Sequence, residues 1–451
     1  MTTAQSDPAA APATASSAAM YLQIKRFESY YRGYISMLWF FPCPPTASAS
    51  AAASQLQKGV DRVVAANPVL SGYLHERSDS DQDKVRIEYT ATGTVQVDAV
   101  DVPYTYAELE QSGFNQNMFP LLFDRVPSST IEIEGLAAFR VTLFALSDGG
   151  AVVCLSFHHT MADGVAVVSL AQSISQACVS DEYTPTAMWH DRNRAYEMLV
   201  SAQPQPTEQP AAKDVFSEHM HQICSDATLS GTGLQTTGEM RIYQFAVTSS
   251  ALQRLRESAM GESSERFSSN DLAMALFWRA WARALESHKA TFPYTHAGGP
   301  IDVRAMAGVS DYLGNMFLPR PMLALRSQVL GQGLTHTAAL IRRSTQSATP
   351  ADLRRFIDAA DRGEPDILAT VGITDSPSTS FSNIMRMPTH AVHFGLGRLG
   401  SMQLRSFPIP FLVFAVGDGA GGFLANMYLP TSVFASFMAN QEFTAYAAQV
   451  Y

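Results

Sequence analysis

The order of apolar and polar positions divides the chain into alternating strand-like and helix-like stretches. Order is expected from about Met20. Tyr34 to Phe41 is a run of aromatic and β-branched residues and reads as a strand. Leu56, Val60, Val63 and Val64 then share one face at helical spacing. They predict a helix over Ser54 to Asn67, with Ser54 and Gln57 as a capping-box pair and Asn67-Pro68 as its end. His75 to Lys84 is polar and reads as a loop. Ala138 to Leu146 and Ala151 to His158 read as two strands joined by the turn Ser147-Asp148-Gly149-Gly150. Val165, Val168, Ala171 and Ile174 mark a helix from about Gly164 to Cys178.

The second half repeats this alternation after a change of composition. Pro, Gln, Ser, Thr and Gly dominate residues 201–238, which read as one long linker. Beyond it come a strand at Arg241 to Val247, a helix near Ser250 to Met260, and a strongly apolar helix from about Asn270 to Glu286. Strands near Phe411 to Val416 and Phe423 to Leu429 and a helix from about Ser432 end the chain. The fold class is therefore α/β or mixed, with two domains of similar size. Their expected limits are a disordered tail at 1–19, an N-terminal domain at 20–200, the linker, and a C-terminal domain at 239–451.

Composition narrows the function. The 451 residues are 46% hydrophobic and 16% charged, which excludes a disordered or coiled-coil chain. A formal net charge of -10 argues against nucleic-acid binding. Four scattered cysteines (Cys43, Cys154, Cys178 and Cys224) make no disulfide framework, and no metal-site spacing is present. No apolar run approaches a membrane span, and neither a signal peptide nor a transit or peroxisomal address is visible. A soluble, cytoplasmic monomer is expected.

The densest chemistry is Ser156-Phe157-His158-His159-Thr160-Met161-Ala162-Asp163-Gly164. A histidine leaves an apolar strand, and an aspartate and glycine stand where a helix begins. Such a turn can present an imidazole to a cleft as a general base. Asp163 can cap the helix or pair with an arginine. The bland alternative is a core histidine followed by an ordinary N-cap. The same spacing recurs at His75 and Asp79, inside the expected loop, where it reads as accidental. Gly395-Leu396-Gly397-Arg398-Leu399-Gly400 satisfies a dinucleotide fingerprint. Ser401 to Pro410, with Pro408 and Pro410, does not read as the helix that fingerprint requires. No phosphate-loop lysine and no Gly-x-Ser-x-Gly elbow is present.

His159-Thr-Met-Ala-Asp163-Gly164, the central linker and the late Phe394-Gly395-Leu396-Gly397 together resemble the BAHD acyltransferase family. Its marks are His-x-x-x-Asp-Gly in mid-chain and Asp-Phe-Gly-Trp-Gly near the C-terminus. Asp302-Val303-Arg304, Tyr312-Leu313-Gly314-Asn315 and Asp271-Leu272-Ala273 to Trp278 also match, so the resemblance covers nearly the whole chain from Met20. Leu396 in place of tryptophan is similar to the fungal branch that includes trichothecene 3-O-acetyltransferases. His393 departs from the pattern by replacing an aspartate regarded as structural. The doubled His158-His159 is also similar to condensation domains of peptide synthetases, which share the fold.

The resemblance implies a chloramphenicol acetyltransferase-like fold, with the active site in a tunnel between two mixed-sheet domains. It implies acyl transfer from acyl-CoA, acetyl-CoA foremost, to a hydroxyl, with no acyl-enzyme and no permanently bound cofactor. His159 would be the base. Asp163, paired with Arg304, would shape the site together with Gly164, Gly395 and Gly397. Asn315, Ser382 and backbone amides near Gly395 are candidates to hold the oxyanion or the substrate. Arg254, Arg256, Ser268 and Ser269 are candidates for the phosphates of CoA, against the alternative of a solvated helix face. Phe381, Met385, Met387, Phe407 and Phe411 either line an apolar acceptor pocket or pack the core. The rival readings are a condensation-like enzyme fed by a carrier-protein thioester and a catalytically silent binding protein.

Overall fold

The computed structural model describes residues 18–42, 48–76, 85–127, 132–201, 239–285, 294–349, 352–354, 356–358, 378–406 and 412–451. Nearly all of the expected tail and linker, with Cys43, Asp79, Cys224, Phe407 and Phe411, lie outside them. Three sheets form. The N-terminal half, joined by one strand from late in the chain, builds a five-stranded sheet in the order β12-β2-β7-β6-β5, and it builds a small one in the order β1-β4-β3. The C-terminal half builds a seven-stranded sheet, β10-β9-β11-β13-β14-β8-β15. The strands are β1 (Met20–Ile24), β2 (Tyr34–Phe41), β3 (Tyr73–Glu76), β4 (Val85–Tyr89), β5 (Val97–Val102), β6 (Phe139–Leu146), β7 (Ala151–His158) and β8 (Met240–Val247). The others are β9 (Tyr294–Asp302), β10 (Phe317–Leu325), β11 (Ser378–Ile384), β12 (Ser401–Leu404), β13 (Leu412–Gly417), β14 (Phe423–Pro430) and β15 (Ala448–Gln449). The long helices are α1 (Ala49–Ala66), α2 (Gly164–Val179), α3 (Ser249–Glu262), α4 (Ser269–Ala284) and α5 (Gly333–Gln346).

β2 shows why the apolar run folds as it does. All eight of its residues are buried, because both faces of the sheet are covered. Ile35, Met37, Trp39 and Phe41 face the core under α1 and α2, while Leu38 and Phe40 face a second cluster with Phe114, Phe119 and Phe123. A two-sided strand reads as a continuous apolar run, not as an alternation. β2 pairs antiparallel with β7 from Tyr34 opposite His158 to Phe41 opposite Ala151. α1 and α2 cross so closely that a Cβ on Gly59 would meet Cys178 Sγ at 2.3 Å.

Two local expectations are corrected. α1 begins at Ala49, capped by Ser48, whose hydroxyl accepts the Ala51 N–H at 3.2 Å. The alanine-rich turn before Ser54 favours helix, so Ser54 lies inside it and its hydroxyl donates to Ser50 O. Gln57 is not a capping partner: its side chain donates to Val95 O and accepts from Val97 N, tying α1 to β5. His75 lies on β3, not in a loop, with Nδ1 at 2.6 Å from Glu134 Oε1.

α4 is the axis of the C-terminal half. It is buried nearly all round, with Phe277, Trp278 and Trp281 fully enclosed. Phe381 packs on Phe277 and belongs to this core, not to a pocket.

The two halves are not independent in space. β12, from late in the chain, pairs antiparallel with β2, and Val392, Phe394, Leu396, Met402 and Leu404 sit in the N-terminal core. The loop before β12 carries the glycine pattern. Phe394, Gly395 and Gly397 have φ of 50°, 73° and 89°, in the left-handed region. A Cβ on Gly395 would meet Gln55 Nε2 at 1.8 Å. The strand that follows excludes the dinucleotide reading, which needs a helix there.

This loop is anchored without an aspartate. Ser175 Oγ, on α2, accepts the N–H groups of His393 and Phe394 at 3.0 Å each. Gln55 Nε2 donates to Phe394 O, and the Phe394 ring packs edge-on against Trp39. The exposed His393 side chain only accepts the Gly395 N–H at Nδ1. Ser175 lies about 16 Å along α2 from Gly164 at 1.5 Å per residue, so His393 is remote from His159. Ser175→Ala is expected to lower unfolding free energy by about 1–3 kcal/mol, because it orphans the buried Phe394 N–H. His393→Ala should change it by less than about 0.5 kcal/mol. Urea denaturation of both variants checks the contrast.

Candidate active site

The His-His-Thr-Met-Ala-Asp turn lies between β7 and α2, and the two histidines have opposite environments. His158 is fully buried, edge-on to Tyr34, with Nδ1 at 2.8 Å from Thr160 Oγ1. Burial pushes its pKa down to about 3, so it is a neutral core residue. His159 is half-buried. Its Nδ1 lies 3.1 Å from Asn315 Oδ1, and Asn315 Nδ2 donates to His159 O at 2.7 Å. The second bond fixes the amide, since a carbonyl oxygen only accepts. Asn315 Oδ1 therefore accepts a hydrogen bond from Nδ1–H, which leaves the lone pair of the neutral imidazole at Nε2. Burial lowers the imidazole pKa, opposed by its own backbone carbonyl, Asp163 and Asn315. The resting group is a neutral imidazole able to accept a proton at Nε2.

Asp163 does both things open to it. Its Oδ1 caps α2 by accepting the Ala166 N–H at 3.2 Å. Both carboxylate oxygens also meet Arg304, at 2.8 and 2.9 Å, as a buried bidentate pair. Arg304 further donates to Gly314 O and Tyr312 O, and Met316 N donates to Asp163 Oδ2.

A second buried pair, Glu28 with Arg192 at 3.3 Å, was not legible in the sequence. Arg192 donates to Leu313 O and Met161 O, and Glu28 Oε1 accepts the Asn315 N–H at 2.9 Å. Burial raises the Glu28 carboxyl pKa and the Arg192 charge opposes it. A lone acid in the aromatic run Phe27-Glu28-Ser29-Tyr30-Tyr31 was the available signal. Arg192, in a charged stretch before the linker, reads as solvated surface. Leu313 to Met316 are thus held residue by residue, by Arg192, Arg304, Glu28 and Asp163 in turn.

The other candidates divide. Asn315, a candidate to hold the oxyanion or the substrate, bonds His159 with its amide oxygen and one of its two amide protons. Ser382 is half-buried on the face of β11 that also carries Ile384, and Ile384 abuts Gly164. Gly164 opens α2, and Gly395 and Gly397 shape the distant Phe394 loop. Arg256, Ser268 and Ser269 line one cleft of about 580 Å³ with Asn270, Ile384, Met385, Arg386, Met387 and His390, and no carboxylate lines it. Arg256 donates to the Ser269 hydroxyl. Ser268 Oγ is already committed to the Asp271 N–H as N-cap. Arg254 does not share this cleft: two residues from Arg256 it points to another side of α3, and it donates to Ala445 O. Burial pushes the Cys154 and Cys178 thiols up to about 12, so neither supplies a thiolate. Among the described residues no group of acidic, histidine or cysteine side chains could hold a metal, and no helix is long and apolar enough to cross a membrane.

Asp163→Asn should cost about 3–5 kcal/mol, because Arg304 would lose its buried bidentate counter-ion and keep only the half-exposed Asp302 at 3.1 Å. Urea unfolding measures it, and an unchanged midpoint would refute the structural role of the pair.

Comparison with known proteins bears on the family and the fold. The chain is 23% identical over 379 residues to acyltransferase cm3D of Cordyceps militaris, covering 76% of each chain. Its structure superposes on F. sporotrichioides TRI101 in complex with coenzyme A and T-2 with a TM-score of 0.76. That match has 19% identity and covers 96% of this chain and 100% of the other. The first condensation domain of the CDA synthetase shares the fold at a TM-score of 0.58 and 13% identity, over 95% and 97% of the two chains. The model of the Transferase family matches residues 3–443, and the chain belongs to that family, the CoA-dependent acyltransferases of BAHD type.

Proposed function

We propose that the protein transfers an acyl group, acetyl foremost, from acyl-CoA to a hydroxyl of a small apolar metabolite. The observation that carries this reading is the free Nε2 of His159, set by the Asn315 amide beside the Asp163–Arg304 pair. An alcohol is a poor nucleophile at neutral pH until a base takes its proton. His159 Nε2 takes that proton as the oxygen attacks the thioester carbonyl, and returns it to the departing thiolate. Cys154 and Cys178 are buried and protonated, and direct transfer in a ternary complex is the route that the family resemblance supports.

The donor is assigned to the cleft at the start of α4. In a chain with net charge -10, this cleft gathers Arg256 and Arg386 with Ser269, Asn270 and His390 and has no acidic lining residue. That is the electrostatic character a polyphosphorylated donor needs. Ile384 lines the cleft and also touches the first residue of α2, which connects it with the histidine turn. TRI101, whose structure holds coenzyme A and T-2, supports an analogous pairing of CoA with a small-molecule acceptor.

The test is thiol release from acetyl-CoA, with metabolite extracts as acceptor source and mass spectrometry of the product. Acetyl-pantetheine and an acetylated carrier protein serve as rival donors. Turnover with the carrier protein but not acetyl-CoA would favour the condensation-like reading, and none with any donor the silent one. His159→Ala is expected to lower turnover by at least about 100-fold with folding retained. His75→Ala should equal wild type, since His75 pairs with Glu134 on the β3 edge.

The pH profile follows from the imidazole. Its pKa lies below the ordinary 6.5, because burial disfavours the charged form. The base is therefore neutral above that value, and activity falls only as pH drops through the lowered pKa. The acid limb of kcat/KM should have its midpoint below 6.5, and a midpoint above it would contradict the desolvated site.

A further inference from the structure

Among the described residues, three side chains bound the His159 imidazole by ring contact or hydrogen bond: Asn315, Phe317 and Tyr31. Asn315 spends its carbonyl oxygen on Nδ1 and an amide proton on His159 O. Phe317 has no polar atom. Tyr31 is stacked on the imidazole, with ring centroids 5.1 Å apart and planes 25° apart, and Phe317 packs edge-on against it at 5.0 Å. Its hydroxyl is shielded from solvent and has no hydrogen-bond partner among the described residues. Buried hydroxyls are normally paired, so an unpaired one on a ring stacked against the proposed base calls for an explanation.

We infer that the Tyr31 hydroxyl is the donor that receives the thioester oxygen as it becomes an oxyanion. This rests on the reading of His159 as the base. In the step, the alcohol proton passes to His159 Nε2 and the alcohol oxygen bonds to the carbonyl carbon. The carbonyl π pair moves onto its oxygen, which accepts the Tyr31 O–H. Collapse restores the carbonyl, breaks the carbon–sulfur bond, and expels the CoA thiolate, which takes the proton from the imidazolium. Tyr31 keeps its proton throughout, because burial raises the phenol pKa well above its ordinary value. It acts as a fixed dipole and not as an acid. Its ring face also lies against the imidazole, where it favours the transient imidazolium.

The test is Tyr31→Phe, which keeps the ring and removes the oxygen. Wild type, His159→Ala and Tyr31→Phe are compared with acetyl-CoA and the probe alcohols benzyl alcohol, cyclohexanol and deoxynivalenol. The expected result is a fall in kcat of about 100-fold, with KM for acetyl-CoA within about threefold and melting temperature not lowered. A hydroxyl that is merely packed predicts an unchanged kcat with the same melting behaviour, since an unpaired buried hydroxyl is replaced by hydrogen in either case. That result, or a loss confined to KM, overturns the inference and leaves the base intact. If wild type releases no more thiol than His159→Ala with any probe, the reading of the base fails and this inference falls with it.

Discussion

The structure depends on two buried ion pairs that hold one short stretch of backbone. Asp163–Arg304 and Glu28–Arg192 together bind Leu313, Gly314, Asn315 and Met316, and Asn315 binds the imidazole. A buried pair gains little net free energy over a well-packed apolar replacement, but losing one partner is costly. Its value here is geometric. Four charges from distant parts of the chain meet in the native arrangement, and separating either pair would leave a buried charge without its main partner. The tautomer of His159, and so its ability to act as a base, follows from that arrangement.

The same logic explains why the halves are interlocked. His159 and Asp163 belong to the N-terminal half, while Arg304 and Asn315 follow the linker. A site assembled from both requires the halves to be held in fixed register. β12 beside β2, and Phe394 against Trp39, provide that by burying late residues in the early core. The Phe394 loop therefore acts at a distance, by bracing α2 and the five-stranded sheet. Its left-handed backbone needs glycine at 395 and an acceptor for the His393 and Phe394 N–H groups. Ser175 supplies that acceptor, so the histidine at 393 is tolerated at the rim of the loop.

Much of this was legible in residue order. Periodicity placed β2, β6, β7, α2, α3, α4 and the closing strands to within a few residues, because both the continuous apolar runs and the helical stripes answer to local burial. The strand-to-helix turn at 158–164 and the absence of a helix after Gly400 were also readable locally. Errors arose where local signals compete. Ser54 looked like a cap, but the alanines before it carry the helix further. His75 looked like part of a loop, but β4 and Glu134 draw it into an edge strand.

By itself the sequence determined the class of fold and the family and singled out His159 as the candidate base, since these rest on short-range pattern and on motifs. The tertiary structure alone decided which polar residues meet. Arg254 and Arg256 are equal candidates in sequence, yet the turn of a helix sends only Arg256 into the cleft. Glu28 and Arg192 are separated by 164 positions, and no spacing joins them. Asn315 is one of many asparagines until folding sets its amide on Nδ1 of His159. Hydrogen bonds and ion pairs act over a few ångströms of space, and residue order constrains that distance only within a helix turn or a strand pair.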